Sequence, residues 1–275
     1  MSTNTATDDK VWYNRFYREP IDRQLVLRDE IIERYRTLPH PELFHLERWH
    51  QLVGDVRGKK LLYIGCGVEA SVVLLGLRGA TVWAFDLASE ALRHQREMAR
   101  ANGTGAQTRF VAGSCGRLPF ADGAFDLVIG IGILHHLQDD LETPCSEIAR
   151  VLKPDGCAVF EEPIMRSSFL KRLRTYVPVP PPCDASPRCQ PLEGNALDCF
   201  ARHFKTKTYS FGFLSRFERV ILGGVPLEFA AWWRRGTVYC LHYIDFLLFN
   251  IPGFDHFAGV AVWRFSRRSS RPETA

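Results

Sequence analysis

The ten residues "LLYIGCGVEA", at positions 61–70, decide the fold. The first four are large and uncharged, which predicts a strand buried on both faces of a parallel sheet. Gly65 and Gly67 then permit a tight turn and let backbone N–H groups approach a ligand closely. The stretch therefore predicts a buried strand that ends in a ligand-binding turn, with the acid Glu69 just beyond it.

The composition indicates a globular protein without an obvious polymer partner. The chain has 275 residues, 46% of them hydrophobic, which suits one large domain or a core domain with a cap. The formal charge of +4 is scattered, whereas nucleic-acid binders usually carry a dense basic stripe. We therefore expect no nucleic-acid partner. Whether the protein is a monomer or a homodimer stays open.

Neither targeting nor membrane insertion is expected. The first ten residues are polar and contain no apolar segment typical of a secretory signal. The longest apolar stretch, at 241–251, is much shorter than the about 20 residues that cross a bilayer. The sequence therefore predicts a cytoplasmic protein without integral membrane association.

Strands and helices alternate through the middle of the chain, which predicts an α/β fold with a parallel, doubly wound sheet. Helical spacing of apolar residues precedes this region, and aromatic residues are dense after it. The predicted organisation is a helical cap (1–55), an α/β core (56–165), a lid segment with a returning helix and strand (166–213), an inserted aromatic cap (214–256), and a last strand and tail (257–275).

The eight cysteines do not form metal-ligand pairs. No two of them stand in a C-x-x-C pattern, so reduced thiols fit better than a disulfide framework. Cys183, Cys189, Cys199 and His203 form the one loose cluster, but structural zinc ligands usually arrive in close pairs. We therefore predict no metal site.

An acid follows the glycine turn at a spacing typical of nucleoside sites. The second predicted strand, "TVWAFD", ends on Asp86, and open α/β sheets bind ligands at the carboxyl ends of their strands. A carboxylate there can accept two hydrogen bonds from ribose hydroxyls. The plainer alternative is a glycine turn with Asp86 as a helix cap. The pattern from Gly65 to Ala70 also satisfies the dinucleotide fingerprint G-x-G-x-x-G/A.

Two later stretches decide between the nucleoside ligands. "GSCGRLPFADGAFDLVIGIGILHHL" (113–137) and "EIARVLKPDGCAVFEEP" (147–163) resemble the class I methyltransferases that use S-adenosylmethionine. The resemblance covers residues 58–165, and nicotinamide enzymes do not share this order of motifs. It implies a Rossmann-like, seven-stranded sheet with an N-terminal helical cap and an inserted C-terminal cap. It also implies S-adenosylmethionine as cofactor and S-adenosylhomocysteine as product.

The resemblance further implies a set of cofactor contacts along the strand ends. The residues are Gly65, Cys66 and Gly67 for the methionine part, Asp86 for the ribose, Leu87, Ser114 and Cys115 for the adenine, and Ile131 beside the methyl group.

The chain departs from the family pattern at three of its positions. Tyr63 replaces the usual strand acid, Glu69 the third glycine, and Ser114 the adenine-facing Asp. Ser114 can still donate or accept one hydrogen bond. An acid at the start of a helix is electrostatically favourable, so our interpretation is that Glu69 replaces the charge lost at Tyr63 and pairs with the cofactor's ammonium group. The alternative is a solvated first-turn acid.

Acid–base candidates follow the fourth and fifth strands. Methyl transfer requires donor and acceptor to be aligned at about 3–3.5 Å. An alcohol, phenol or ammonium acceptor must also lose a proton, which a His or a carboxylate can remove. His135 and His136 follow the fourth strand, and Glu161 and Glu162 end the fifth. We predict His136 and Glu162 as catalytic residues; the alternatives are a structural histidine and a solvated or loop-ordering acid.

Aromatic residues in the two caps favour a small, partly hydrophobic acceptor such as a secondary or biosynthetic metabolite. They are Trp12, Tyr13, Phe16 and Tyr17 in the front cap and the aromatics between Phe213 and Phe257 in the rear one. Most aromatics of this kind are ordinary core residues.

Three other functions stay open. An RNA or DNA methyltransferase is one, although "GIGILHH" stands where amino-methylating DNA enzymes resemble one another in N/D-P-P-Y/F. A non-catalytic S-adenosylmethionine-binding protein is another. The third is a membrane-peripheral enzyme that uses "VPLEFAAWWRR" (225–235), although that stretch is better interpreted as a buried cap helix.

Overall fold

A computed structural model describes residues 3–18, 25–176, 190–193 and 196–267. A seven-stranded sheet forms its centre, in the order β3-β2-β1-β4-β5-β7-β6. The strands are β1 (Lys60–Ile64), β2 (Thr81–Asp86), β3 (Thr108–Ala112), β4 (Phe125–Ile131), β5 (Leu152–Pro163), β6 (Phe204–Phe211) and β7 (Val260–Arg267). Strands β1 to β5 pair in parallel, whereas β7 is antiparallel to both β5 and β6. The predicted Rossmann-like α/β fold is confirmed.

Ten α-helices surround the sheet in the described part of the chain. They are α1 (Thr3–Arg18), α2 (Asp29–Thr37), α3 (His45–Val53), α4 (Ser71–Leu77), α5 (Ser89–Ala101), α6 (Glu142–Val151), α7 (Ser168–Tyr176), α8 (Asp198–His203), α9 (Glu218–Leu222) and α10 (Trp232–Phe249). None of these described helices is long and apolar enough to cross a bilayer.

Strand β1 is buried on both faces, as predicted. Because successive side chains alternate across a strand, Leu61 and Tyr63 pack with Trp49 of α3, whereas Leu62 and Ile64 pack on the opposite face. Leu61, Leu62, Tyr63 and Ile64 are all fully buried. The sheet therefore has a separate apolar core on each of its faces.

The rear cap packs on the segment that enters α3. Phe44 shares a small apolar core with Leu222, Leu227 and Val238. His242 of α10 places Nδ1 3.0 Å from the Leu43 carbonyl and Nε2 2.8 Å from a Glu218 carboxylate oxygen. Both partners are acceptors, so a ring nitrogen of His242 that carries a proton can donate to either one.

The prediction of a buried helix at 225–235 is wrong. A single turn, Leu227–Phe229, precedes α10, and Trp232 and Trp233 are 84% and 52% exposed. Helix α10 is buried through Val238, His242 and Asp245, which recur every three to four residues, and the tryptophans point away from that face. Hydrophobicity alone does not indicate which face of a helix a neighbour covers.

Part of the predicted organisation lies outside the described residues. Cys183, Cys189 and most of the Pro-rich connection before residue 190 belong to that part. Cys199 is described; it is buried, and its Sγ lies 3.8 Å from the Leu141 carbonyl oxygen.

Candidate active site

The glycine turn after β1 is tied to the acid that ends β2. Gly65 and Gly67 have φ values of +60° and +46°, in the left-handed region that favours glycine. The Gly67 N–H donates to Asp86 Oδ2 at 2.8 Å, and the Ala88 N–H donates to Oδ1 at 2.8 Å. Burial raises the pKa of Asp86, although the backbone N–H groups of Ala88, Gly67 and Leu87 partly offset it. The two motifs predicted from sequence therefore meet at one carboxylate.

The predicted adenine residues line the neighbouring loop after β3. The Gly113 N–H donates to the backbone carbonyl of Asp86 at 3.0 Å, which brings this loop beside the acid. Ser114 Oγ accepts the Gly116 N–H at 3.4 Å, and Leu87 is half-buried. Cys115 is buried, and burial, with the charge of Asp86, raises the pKa of its thiol to about 12. This thiol is therefore un-ionised at neutral pH.

Ile133 packs directly on the glycine turn, which the sequence did not indicate. A Cβ on Gly65 would lie 2.5 Å from Ile133 side-chain atoms, so a larger residue does not fit there. Ile131 is half-buried at the end of β4 and pairs in register with Glu161 of β5. Two isoleucines therefore form an apolar wall between the turn and the ends of β4 and β5.

Helix α1 crosses this edge of the sheet. The Tyr17 hydroxyl would lie 3.1 Å from a Cβ on Gly67, and the Tyr13 hydroxyl lies 3.2 Å from His136 Nε2. The sequence predicts Tyr13 and Tyr17 as pocket walls. Their position over the glycine turn depends on the contact between Tyr17 and Gly67, which are about fifty residues apart in the chain. Helix α1 thus covers the turn and the loop after β4 together.

Asn14 fixes α1 in this place. Its Oδ1 accepts hydrogen bonds from the Ser89 hydroxyl and the Glu90 N–H, both at 3.1 Å, at the start of α5. Arg18 adds an ion pair with Glu90 at 3.1 Å. Because α5 begins just after Asp86, these contacts align α1 with the acid that ends β2.

His136 is uncharged in this setting. Burial, helped by the charge of His135, lowers the pKa of His136 to about 3. The neutral ring can therefore accept a hydrogen bond from the Tyr13 hydroxyl at physiological pH. A base with so low a pKa removes protons weakly at neutral pH.

Glu162 orders the loop that carries the two histidines. Its carboxylate accepts the N–H groups of Ile133 (2.8 Å), Leu134 (2.7 Å) and His135 (3.3 Å), and Oε2 lies 2.7 Å from His135 Nδ1. The side chain is 0% exposed. These hydrogen bonds order the loop after β4, which agrees with the loop-ordering alternative for Glu162.

Glu161 faces the opposite direction and meets His45 of α3. His45 Nδ1 lies 3.1 Å from Glu161 Oε1, close enough for an ion pair, although the N–H is not aligned for a hydrogen bond. Burial works against the imidazolium, but the charges of Glu161 and Glu218 outweigh it, so the pKa of His45 is raised. The His45 side chain is still 32% exposed. No sequence motif marked His45, because it reaches the site from an earlier helix.

Glu69 follows the glycine turn and lies close enough to Tyr63 for its charge to act on that phenol. Its side chain is exposed, and its backbone carbonyl accepts a hydrogen bond from Gln95 Nε2 at 2.9 Å. Burial, followed by the charge of Glu69, raises the pKa of Tyr63 well above its usual value. Among the residues that the structure describes, the Tyr63 hydroxyl has no hydrogen-bond partner. The residue that replaces the strand acid is therefore a neutral, buried phenol close to Glu69.

Comparisons with known proteins identify the class. Residues 62–160 match the family described as "Methyltransferase domain". A fatty-acid O-methyltransferase from Mycolicibacterium smegmatis is 33% identical over 159 residues, 56% of this chain and 53% of that protein. A probable phthiotriol/phenolphthiotriol dimycocerosates methyltransferase from Mycobacterium ulcerans is 28% identical over 162 residues, 57% of each protein. The matches thus span little more than half the length of these relatives.

A solved structure shares the fold over nearly the whole chain. Geranyl diphosphate C-methyltransferase from Streptomyces coelicolor, crystallised with Mg2+, geranyl diphosphate and S-adenosyl-L-homocysteine, aligns with a TM-score of 0.59 at 16% identity. The alignment covers 98% of this chain and 100% of that one. Residues 62–160 therefore carry a methyltransferase domain, and the chain has the fold of the class I methyltransferases, a class that uses S-adenosylmethionine as methyl donor.

The residues at the cofactor edge fit this nucleoside. A carboxylate offers about four lone-pair positions, and the backbone N–H groups of Gly67, Ala88 and Leu87 at Asp86 use only part of them. The Asp86 carboxylate therefore keeps accepting capacity for a ribose hydroxyl. The neighbouring glycine turn offers backbone without side chains, which suits a close approach by the rest of the cofactor.

Proposed function

We propose that this protein transfers a methyl group from S-adenosylmethionine to a small, partly hydrophobic acceptor. The observation that carries the proposal is the position of α1, which lies across the cofactor edge with Tyr17 over Gly67 and Tyr13 against His136. A small molecule can be enclosed beneath such a helix, whereas a nucleic-acid strand would require α1 to move away. The names of the two relatives, which refer to a fatty acid and to dimycocerosates, support a hydrophobic acceptor.

The proposed cofactor contacts follow the loops in chain order. Gly65, Cys66 and Gly67 hold the methionine part, Glu69 its ammonium group, Asp86 the ribose, Leu87, Ser114 and Cys115 the adenine, and Ile131 borders the methyl group. The hydrogen bonds that connect Asp86 with the glycine turn support this arrangement, because they bring the methionine and ribose positions together.

The cofactor supplies a methyl group that is activated by the positive charge on sulfur. The protein's part is to align the acceptor with that methyl group and to exclude water. Ile131 and Ile133 offer an apolar wall for this purpose, and α1 covers the cleft. The neutral His136 and the Tyr13 hydroxyl fix α1 over the loop after β4.

An acceptor hydroxyl would lose its proton toward the pair formed by Glu161 and His45. Glu161 ends β5 next to Ile131, and His45 keeps part of its surface exposed. Catalytic roles for His136 and Glu162 stay predictions. The low pKa of His136 and the buried hydrogen bonds of Glu162 favour positioning roles for both, with Glu161 and His45 closer to the acceptor.

Mass spectrometry of reactions with S-adenosylmethionine and a panel of fatty acids, long-chain alcohols and phenols tests this proposal. We expect at least one methylated product, with formation of S-adenosylhomocysteine. Methylation of tRNA or DNA instead, with binding that weakens steeply as salt rises, would contradict it. Tight cofactor binding without methylation of any acceptor, polymer or small molecule, would indicate a non-catalytic binding protein.

A further inference from the structure

We propose that the rear cap docks this protein on an anionic membrane surface. The docking surface, here called the cap face, consists of exposed apolar and basic side chains on α9, on α10 and on the segment between them. Its members are Phe217, Arg219, Val220, Val225, Trp232, Trp233, Arg235, Tyr243 and Leu247. The proposal goes beyond methyl transfer and does not depend on which acceptor is used.

The apolar side chains of the cap face are exposed to solvent. Val220 is 75% exposed and Trp232 84%. The ends of the two helices adjoin, because Arg234 donates to the Leu222 carbonyl at 3.2 Å and lies 5.2 Å from the Trp233 ring centre. Clustered apolar surface of this kind marks an interaction site, and Trp and Tyr favour the interface between lipid and water.

The buried face of helix α10 contains polar groups, whereas Arg235 and Thr237 of the same helix are exposed. Its buried face presents His242 and Asp245 to the protein, and Asp245 accepts N–H groups from Phe213, Leu214 and Ser215. The opposite face carries Tyr243 and Leu247 toward solvent. Among the described residues, the exposed side of α10 therefore combines aromatic and aliphatic side chains with Arg235, a combination that fits the boundary between lipid and water.

The charge of the cap face is positive because its acids are used internally. Glu218 pairs with His242 at 2.8 Å, Glu228 pairs with Arg34, and Asp245 receives backbone N–H groups. Arg219 and Arg235 are exposed. An anionic lipid surface complements this charge. A second copy of the chain docked on the same face would bring four exposed arginines into one interface, which like-charge repulsion disfavours.

Helix α9, which carries part of the cap face, also approaches the pair formed by His45 and Glu161. Glu218 of α9 contributes to the raised pKa of His45, which is in contact with Glu161.

Vesicle flotation tests the proposal. The full chain is mixed with vesicles of phosphatidylcholine and phosphatidylglycerol in equal amounts, or of phosphatidylcholine alone, at low and high salt. We expect flotation with the anionic vesicles that weakens as salt rises. The partition coefficient should fall about tenfold or more in the double variant Trp232→Ser, Trp233→Ser and in the double variant Arg219→Glu, Arg235→Glu.

Matched control variants change residues outside the cap face, just before β1 and at the end of α4. Leu77→Ser removes an exposed apolar side chain, and Arg57→Glu with Lys59→Glu reverses two exposed charges there. These variants should float like the wild type, and unchanged S-adenosylmethionine affinity confirms folding of every variant. Absence of wild-type flotation, or equal losses in controls and cap variants, overturns the proposal. A wild-type dimer that the tryptophan variant converts to monomers, seen by analytical ultracentrifugation, also overturns it.

Discussion

At the residue scale, we expect Asp86 to have the largest influence on cofactor binding, because its carboxylate holds the glycine turn and would offer its remaining lone pairs to the ribose. Asp86→Asn keeps the shape but removes the charge. We expect S-adenosylmethionine affinity, measured by calorimetry, to fall about ten- to a hundredfold, as for hydrogen bonds to a charged group. Asp126→Asn is the control, since Asp126 pairs with Lys153 at the other end of the sheet. Equal losses in both variants would argue against a ribose contact.

His45 makes stability depend on pH in a defined direction. Because its folded-state pKa is raised, the ion pair with Glu161 contributes fully below the ordinary histidine pKa and is lost as pH rises through the folded-state value. His45→Gln should therefore lower the melting temperature more at pH 6 than at pH 9, by about 2–4 °C, since its partial exposure allows solvent screening. The control, His256→Gln, changes an exposed ring. A loss for His45→Gln that is larger at pH 9 would contradict this account.

At the scale of elements, α1 should control access to the cofactor. Asn14→Ala removes the two hydrogen bonds that anchor α1 to the start of α5. Tryptic cleavage after Arg15 and Arg18 should become faster, and cofactor affinity should fall about three- to tenfold. Asn250→Ala is a matched control at the end of α10. If the two variants bind S-adenosylmethionine alike, α1 is not a cover for the cofactor.

The loop after β4 depends on the hydrogen bonds that the Glu162 carboxylate accepts. Glu162→Gln leaves three backbone N–H groups and His135 with a weaker acceptor, and we expect a loss of about 2–4 kcal/mol of unfolding free energy by denaturant titration. Glu161→Gln should cost much less, because its partner His45 is partly exposed. Full stability of Glu162→Gln together with a lost kcat would instead favour a role as base.

Local patterns predict the elements and the strand-end acid, but not the contacts between distant segments. The sequence predicts both the strand before Gly65 and the strand that ends on Asp86. Both predictions rest on burial and turn chemistry, which act within a few residues. The positions of Tyr17 and His45 depend on packing across tens of residues, which no local pattern encodes. The sequence likewise does not predict the exposure of Trp232, because tertiary contacts decide which face of α10 is buried.

At the scale of the whole molecule, helices α1 and α3 contact the cofactor edge of the sheet from two sides. Helix α1 contacts the glycine turn and His136 on one side, and α3 brings His45 to Glu161 on the other. The rear cap packs on the entry to α3 through Phe44 and His242. The proposed acceptor position, beside Glu161 and His45, is therefore bordered by α3, and the rear cap packs on the segment that leads into this helix.

A crystal structure of the full chain with S-adenosylhomocysteine tests the central claim most directly. We predict that the nucleoside lies at the carboxyl ends of β1 and β2, with both ribose hydroxyls within hydrogen-bond distance of Asp86 and with Tyr17 of α1 above the glycine turn. Ligand density elsewhere, or an empty cleft beside Asp86 at saturating ligand, would contradict the account.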